Sequence, residues 1–303
     1  MVRLGRRRLT GEDLAVDVVV YGALLLLGFA TLYPFWNTIV ISFNEGRDTA
    51  LGGVSFWPRA FTLENYKMVF NDRQLFDSLV VSVSRVAAGT LLSILWTAMF
   101  AYGMSRKGVI GKKYYMIIAI FTLYFQGGLI PSFLWMRELH LFNNFWVLIV
   151  PWAINVWNMI VFRTFFNGLP EGLEESAKID GCNQFGIFFR MAIPLSGPVI
   201  ATLSLFTAVY LWNDWFFANI YINNRDLLPV QSYLLEVINS NAMAEQIALL
   251  AGTDMVLSES QKQITSKSLQ MTTLMVATLP IVIVYPFVQK YFVKGVLVGS
   301  LKE

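Results

Sequence analysis

Six stretches of roughly 20–25 mostly apolar residues constrain this chain more than anything else in it, because a helix of that length crosses about 30 Å of hydrocarbon. They run over Asp17–Phe43, Leu79–Gly103, Tyr114–Trp135, Phe145–Phe166, Ser196–Ile222 and Leu269–Tyr291. In lipid every backbone N–H and C=O must be satisfied within its own segment, so such spans are helices. Hydrophobic residues make up 56% of the chain and charged ones 14%. That balance excludes a soluble domain and predicts an all-α integral membrane protein with six transmembrane helices. Pro34 in the first span, Pro151 in the fourth, and Pro280 and Pro286 in the sixth predict kinks that neighbouring helices accommodate. Gly127, Gly128 and Pro131 lie near the outer end of the third.

Charge orients the spans. Arg3, Arg6, Arg7 and Arg8 precede the first, and the short loop Met104–Lys113 carries Arg106, Lys107, Lys112 and Lys113. The corresponding loop Met136–Asn144 is mixed, with Arg137, Glu138 and His140. Basic residues mark cytoplasmic loops, so both termini are expected in the cytoplasm of a multi-pass protein. The organisation predicted is a basic N-terminus over 1–16, a six-helix transmembrane domain over 17–293, and a tail over 294–303. Two long segments, 44–76 and 223–268, fall outside the cell, and Met243–Leu250 in the second is expected to form a short helix.

Several chemistries are missing. Gly108-Val109-Ile110-Gly111-Lys112-Lys113 has the wrong glycine spacing for a phosphate loop and lacks the following Ser/Thr. ATP and Mg are therefore expected on another subunit, and no cofactor on this one. The single Cys182 and single His140 give neither a disulfide framework nor a metal site. No Ser–His set or carboxylate pair suggests hydrolysis, so the chain is expected not to be an enzyme. A nucleic-acid role for the N-terminal arginines is unsuited to a segment that adjoins a membrane span.

The polar loop 167–195 lies between the fourth and fifth spans. Pro170 suits a first helical turn, and Glu171, Glu174 and Glu175 follow it, where negative charge is favourable. Gly181 permits a left-handed turn. Phe185, Phe188 and Phe189 fall at i, i+3 and i+4, which predicts one apolar face on a second short helix that Pro194 ends. Glu175-Ser176-Ala177, three residues, Gly181, nine residues, then Met191-Ala192-Ile193-Pro194 resembles the EAA loop of ABC importer permeases. That pattern reads Glu-Ala-Ala, Gly, Ile-x-Leu-Pro at the same spacing. Ser for Ala, Met for Ile and Ile for Leu are mild departures.

Further stretches look like the second permease subunit of carbohydrate importers of the maltose-permease family, its LplC/YtcP-like branch above all. They are Phe125–Pro131, Phe162–Phe166, Trp212-Asn213, Tyr285–Gly295 and Gly299-Ser300. The resemblance implies the type I importer fold in a bacterial inner membrane, with the loop acting as a coupling helix. It implies a homologous sister permease, two ATPase subunits and an extracytoplasmic solute-binding protein. Glu175, Ser176, Ala177, Asp180, Gly181, Phe185, Phe188, Phe189 and Pro194 would then form the ATPase-coupling element. Segment 223–268 would reach the binding protein, and the tail from Gly295 would lie against the ATPase pair. The substrate implied is an oligosaccharide, including acidic alginate- or pectin-like ones. Neutral malto-oligosaccharide and glycerol phosphate stay open.

Polar and aromatic residues inside the spans are the candidates for a substrate path. They are Tyr124, Gln126, Asn155, Asn158, Trp212, Asn213, Asp214, Trp215 and Asn219. Aromatic faces with amides suit sugars, and the same residues also suit helix packing or an interfacial aromatic belt. Trp212, Trp215, Phe216 and Asn219 are predicted to share one helical face. Arg85, about two turns inside the second span, is expected to snorkel to the interface. Its other use would be to tint a cavity positive for acidic substrates.

Overall fold

The computed structural model describes residues 11–251 and 264–300. Among them regular structure is helical, with one isolated antiparallel bridge between Asn44 and Phe61. Arg3, Arg6, Arg7 and Arg8, part of segment 223–268 and the last three residues lie outside the described residues. Three helical stretches, Ala15–Ser42, Arg73–Ser105 and Ser266–Val284, are each long and apolar enough to cross a membrane. Three bent helix pairs pass the same test as pairs. The chain divides into two compact units, Met1–Asn71 with Asn239–Met275, and Asp72–Ile238 with Val276–Glu303.

In the first unit, α1 (Gly11–Ser42) continues through Pro34. Most of its side chains up to Trp36 are exposed, as befits a helix meant for lipid or another subunit. The segment that follows is a folded cap containing α2 (Gly46–Ala50) and α3 (Glu64–Asn71). Asn44, fully buried, organises it. Its amide donates to Asp48 and Thr49 at 2.9 Å each and accepts from the Ala60 N–H at 3.0 Å. Arg59 pairs with Asp48 at 3.0 Å. The hydrogen bond from Asn44 and the Arg59 charge hold the Asp48 carboxyl below its ordinary value, outweighing its burial.

In the second unit, α4 (Arg73–Ser105) is a long unbroken helix, capped by the Asp72 side chain on the Gln74 N–H at 2.8 Å. It packs on α7 (Val156–Asn167) and α11 (Gly197–Asn213). Gly89 permits the close approach to α11, since a Cβ there would lie 2.7 Å from the Leu211 methyl. Tyr102, Met159, Phe162, Phe166, Phe188 and Leu203 form the core between these helices.

The third, fourth and fifth predicted spans are broken. The third is α5 (Lys112–Tyr124) and α6 (Leu129–Glu138), bent by 116° at 125–128, where Gly128 has φ +90°. The fourth begins as 3-10 turns, Phe145–Leu148 and Val150–Trp152 with Pro151 in the second, and continues as α7 after a 45° bend. The fifth is α11 and α12 (Phe216–Tyr221), interrupted at Asp214 and Trp215. The expected single face of Trp212, Trp215, Phe216 and Asn219 is therefore absent: Trp212 is buried, the other three are exposed, and the helix breaks between them. The short helix expected at Met243–Leu250 is part of a longer one, α13 (Val230–Ala251), which starts just after Pro229. The last helix, α14 (Ser266–Ser300), contains both Pro280 and Pro286.

Candidate functional site

The loop between α7 and α11 folds as a helix, a turn and a helix. Pro170 stands at the N-cap of α8 (Glu171–Ile179). The turn closes as a Schellman motif: the Cys182 N–H reaches the Ala177 carbonyl at 2.9 Å and the Gly181 N–H that of Lys178 at 3.0 Å. Gly181 has φ +82°, a left-handed conformation that strains any other residue. The Asn183 side chain then caps the second helix by accepting from the Gly186 N–H at 2.7 Å.

That second helix is α9 (Gln184–Ile187), a π-turn over Phe188–Ala192, and α10 (Ile193–Leu195). The π-turn carries the Ile193 N–H to the Phe188 carbonyl. The chain thus passes Pro194, and the helix ends at Leu195 before an 82° bend into α11. The three phenylalanines do not share a face. Phe185 and Phe189 are 64% and 48% exposed, whereas Phe188 is 2% exposed and packs on Tyr102 in the core. Ala177 and Ile187 are buried beside it, and Cys182 is partly buried against the same cluster. Glu175, Ser176, Asp180, Gly181 and Pro194 are exposed.

The loop is tied to the rest of the unit by charge. Glu174 pairs with Arg106 just beyond α4 and with Lys178 at 3.0 Å on its own helix. Arg106 also lies 4.4 Å from the centre of the Tyr102 ring. The sequence placed negative charge at Glu174 but did not reveal this partner, which stands 68 positions earlier. Arg106, Lys112, Glu174 and Lys178 line a cavity of about 480 Å³ behind α8.

Deeper in the unit, Arg85 does not snorkel. It is fully buried and forms an ion pair with Asp214 at the break between α11 and α12. It also donates to the carbonyls of Asp214 at 2.9 Å and Leu148 at 3.3 Å. The other Asp214 oxygen accepts from the Phe217 N–H at 3.1 Å and caps α12. Hydrogen bonds thus satisfy backbone that the break would leave orphaned in an apolar surround. With its charge matched, Arg85 gives no positive tint to a cavity.

Among the path candidates, the structure brings Asn155 and Asn158 together. The Asn155 side chain caps α7 at 2.9 Å on the Asn158 N–H, and the Asn158 amide donates to Thr207 at 3.2 Å. Both line a cavity of about 300 Å³ with Ser93, Trp152, Trp157 and Tyr210, none of which was singled out in the sequence. Tyr124, Gln126, Trp212, Asn213, Asp214, Trp215 and Asn219 do not line it. Tyr124 and Gln126 are exposed beside the break of the third span. Asn143, also missed, has φ +55°, and its side chain accepts from the N–H groups of Asn223 at 2.9 Å and Asn224 at 2.7 Å.

The sequence profile described as binding-protein-dependent transport system inner membrane component matches residues 89–298. The chain is 39% identical over 287 residues to the polygalacturonan/rhamnogalacturonan transport system permease protein YtcP of Bacillus subtilis (strain 168), covering 94% of this chain and 98% of the relative. It is also 39% identical over 276 residues to protein LplC of the same strain, covering 91% of each. Its fold matches a chain of the crystal structure of a bacterial ABC transporter involved in the import of the acidic polysaccharide alginate. That match has a TM-score of 0.83 and 26% identity, and covers 93% of this chain and 98% of the other.

Proposed function

The chain belongs to the binding-protein-dependent transport system inner membrane components, and on that premise we propose that it forms one transmembrane half of an ATP-driven oligosaccharide importer. It is a transport subunit and not an enzyme. The observation that carries the reading is the mounting of α8 and α9. Ala177, Ile187 and Phe188 anchor the loop in the core, while Glu175, Phe185 and Phe189 face outward with apolar and acidic side chains. An element held rigidly on one side and left exposed on the other suits a partner that pushes on it. That partner is an ATPase pair, which carries ATP and Mg; Glu175 meets a basic residue on it.

The remaining assembly follows from the same premise. A homologous permease completes the membrane domain and covers faces such as that of α1. A solute-binding protein delivers the sugar to the extracytoplasmic side, where segments 44–76 and 223–268 lie. With the broken third and fourth spans and α11 with α12 each counted as one, the chain crosses the membrane six times and both termini lie in the cytoplasm. The names of the similar proteins favour acidic plant or algal oligosaccharides as cargo. The cavity at Asn155 and Asn158 is the part of the path this chain contributes. Broken helices at membrane depth are tolerated where they line a cavity, which is what the break at 153–155 does.

Glu175→Lys in the reconstituted complex tests the docking. It should abolish substrate-stimulated ATP hydrolysis and sugar uptake while the permease still folds. Normal stimulation in that variant would remove Glu175 from the coupling role.

A further inference from the structure

Among the described residues, the cavity of about 300 Å³ between α4, α7 and α11 is lined without a single cationic side chain or carboxylate. From this we infer that it holds one uncharged sugar ring of the cargo and turns away a ring that carries a carboxylate. The inference rests on the oligosaccharide-importer reading and deepens it.

The size is at the lower end for ligand pockets, which fits one ring and not a chain of them. Trp152, Trp157 and Tyr210 offer aromatic faces to the C–H side of a ring. Asn155 and Asn158 bring amide groups for its hydroxyls. Ser93 is 1% exposed, and its hydroxyl has no hydrogen-bond partner; the Trp152 indole N–H has none either. Buried polar groups are ordinarily paired, so a small rotation that brings either of these enclosed groups onto the cavity would give a ligand hydroxyl a partner.

A carboxylate finds nothing comparable. The buried cation close to this region, Arg85, is fully enclosed and already bound to Asp214 and to two backbone carbonyls. An ion placed in the cavity loses its water and gains no counter-ion, which is strongly unfavourable. An acidic oligosaccharide therefore passes with its carboxylates directed away from this chain, or with an uncharged residue in this register.

The test uses the complete transporter in proteoliposomes with saturating binding protein, and trigalacturonate compared with its methyl ester. The ester keeps the same sugar backbone, removes the charges and adds a methyl group to each carboxyl. The ester should be taken up faster. Ile154→Lys, which adds a cation at a half-exposed wall position, should shift the uptake ratio roughly tenfold toward the acid. Trp157→Ala should lower uptake of the ester by roughly tenfold through loss of a stacking face. An unchanged ratio in an assembled Ile154→Lys transporter overturns the inference, as does full ester uptake in Trp157→Ala, which decides the matter if the lysine variant does not assemble. If the wild-type transporter takes up neither sugar and neither stimulates its ATPase, the oligosaccharide reading falls and the subsite with it.

Discussion

Arg85→Met and Asp214→Asn, made singly and together, test how the break in the fifth span is held. Arg85 is 0% and Asp214 10% exposed, so the pair is effectively removed from solvent. Breaking such a pair by removing one partner costs about 3–5 kcal/mol, because the other charge is left buried and alone. Asp214→Asn keeps an oxygen for the Phe217 N–H, so its cost is mostly electrostatic. In the double variant no charge is stranded. What remains is the loss of donors to the carbonyls of Leu148 and Asp214, about 1–3 kcal/mol. The double substitution should therefore be less destabilising than either single one. Reversible unfolding in mixed detergent micelles reads the three free energies. If the double variant loses the sum of the two singles, the charges are not coupled and the reasoning is refuted.

Two further outcomes follow from other contacts. Exchanging the charges in Arg106→Glu with Glu174→Arg should restore much of the transport that either change alone removes, measured as sugar uptake per ATP; no recovery would show that the pair does not fix the loop to α4. In the folded cap after α1, the Asp48 carboxyl is held below the ordinary value of 3.8. A depressed acid stabilises the fold above that value, and the contribution fades as pH falls through the lowered one. Amide exchange of residues 44–60 should thus quicken below about pH 4; protection that is flat down to pH 2 would contradict this.

How much of this was legible in advance depended on distance along the chain. The loop 167–195 was readable because its signals are local: Gly181 for the left-handed turn, acidic residues in the first turn of α8, and fixed spacing to Pro194. Phe188 was misplaced because positions i, i+3 and i+4 still spread over about 100° of a helix, so the core takes Phe188 and leaves Phe185 and Phe189 outside. Pro151 announced the interruption of the fourth span, but the breaks at 125–128 and 214–215 were missed because apolar composition reports length and says nothing about where the backbone turns. Arg85 and Asp214 were each singled out, yet 129 positions separate them and no local pattern links the two. Polarity led 223–268 to be taken mostly for loop, although Pro229 just ahead of Val230 is a helix-start signal.

The uninterrupted course of α4 has a mechanical consequence. Its neighbours in the second unit are hinged by bends of 116°, 45° and 82°, whereas the 33 residues of α4 form one rod about 50 Å long. Arg85 near its first third grips the break in the fifth span, and Arg106, one residue past its end, grips the helix that carries Glu175. A stroke delivered at one grip is felt at the other, about 32 Å away, with no joint between them to absorb it.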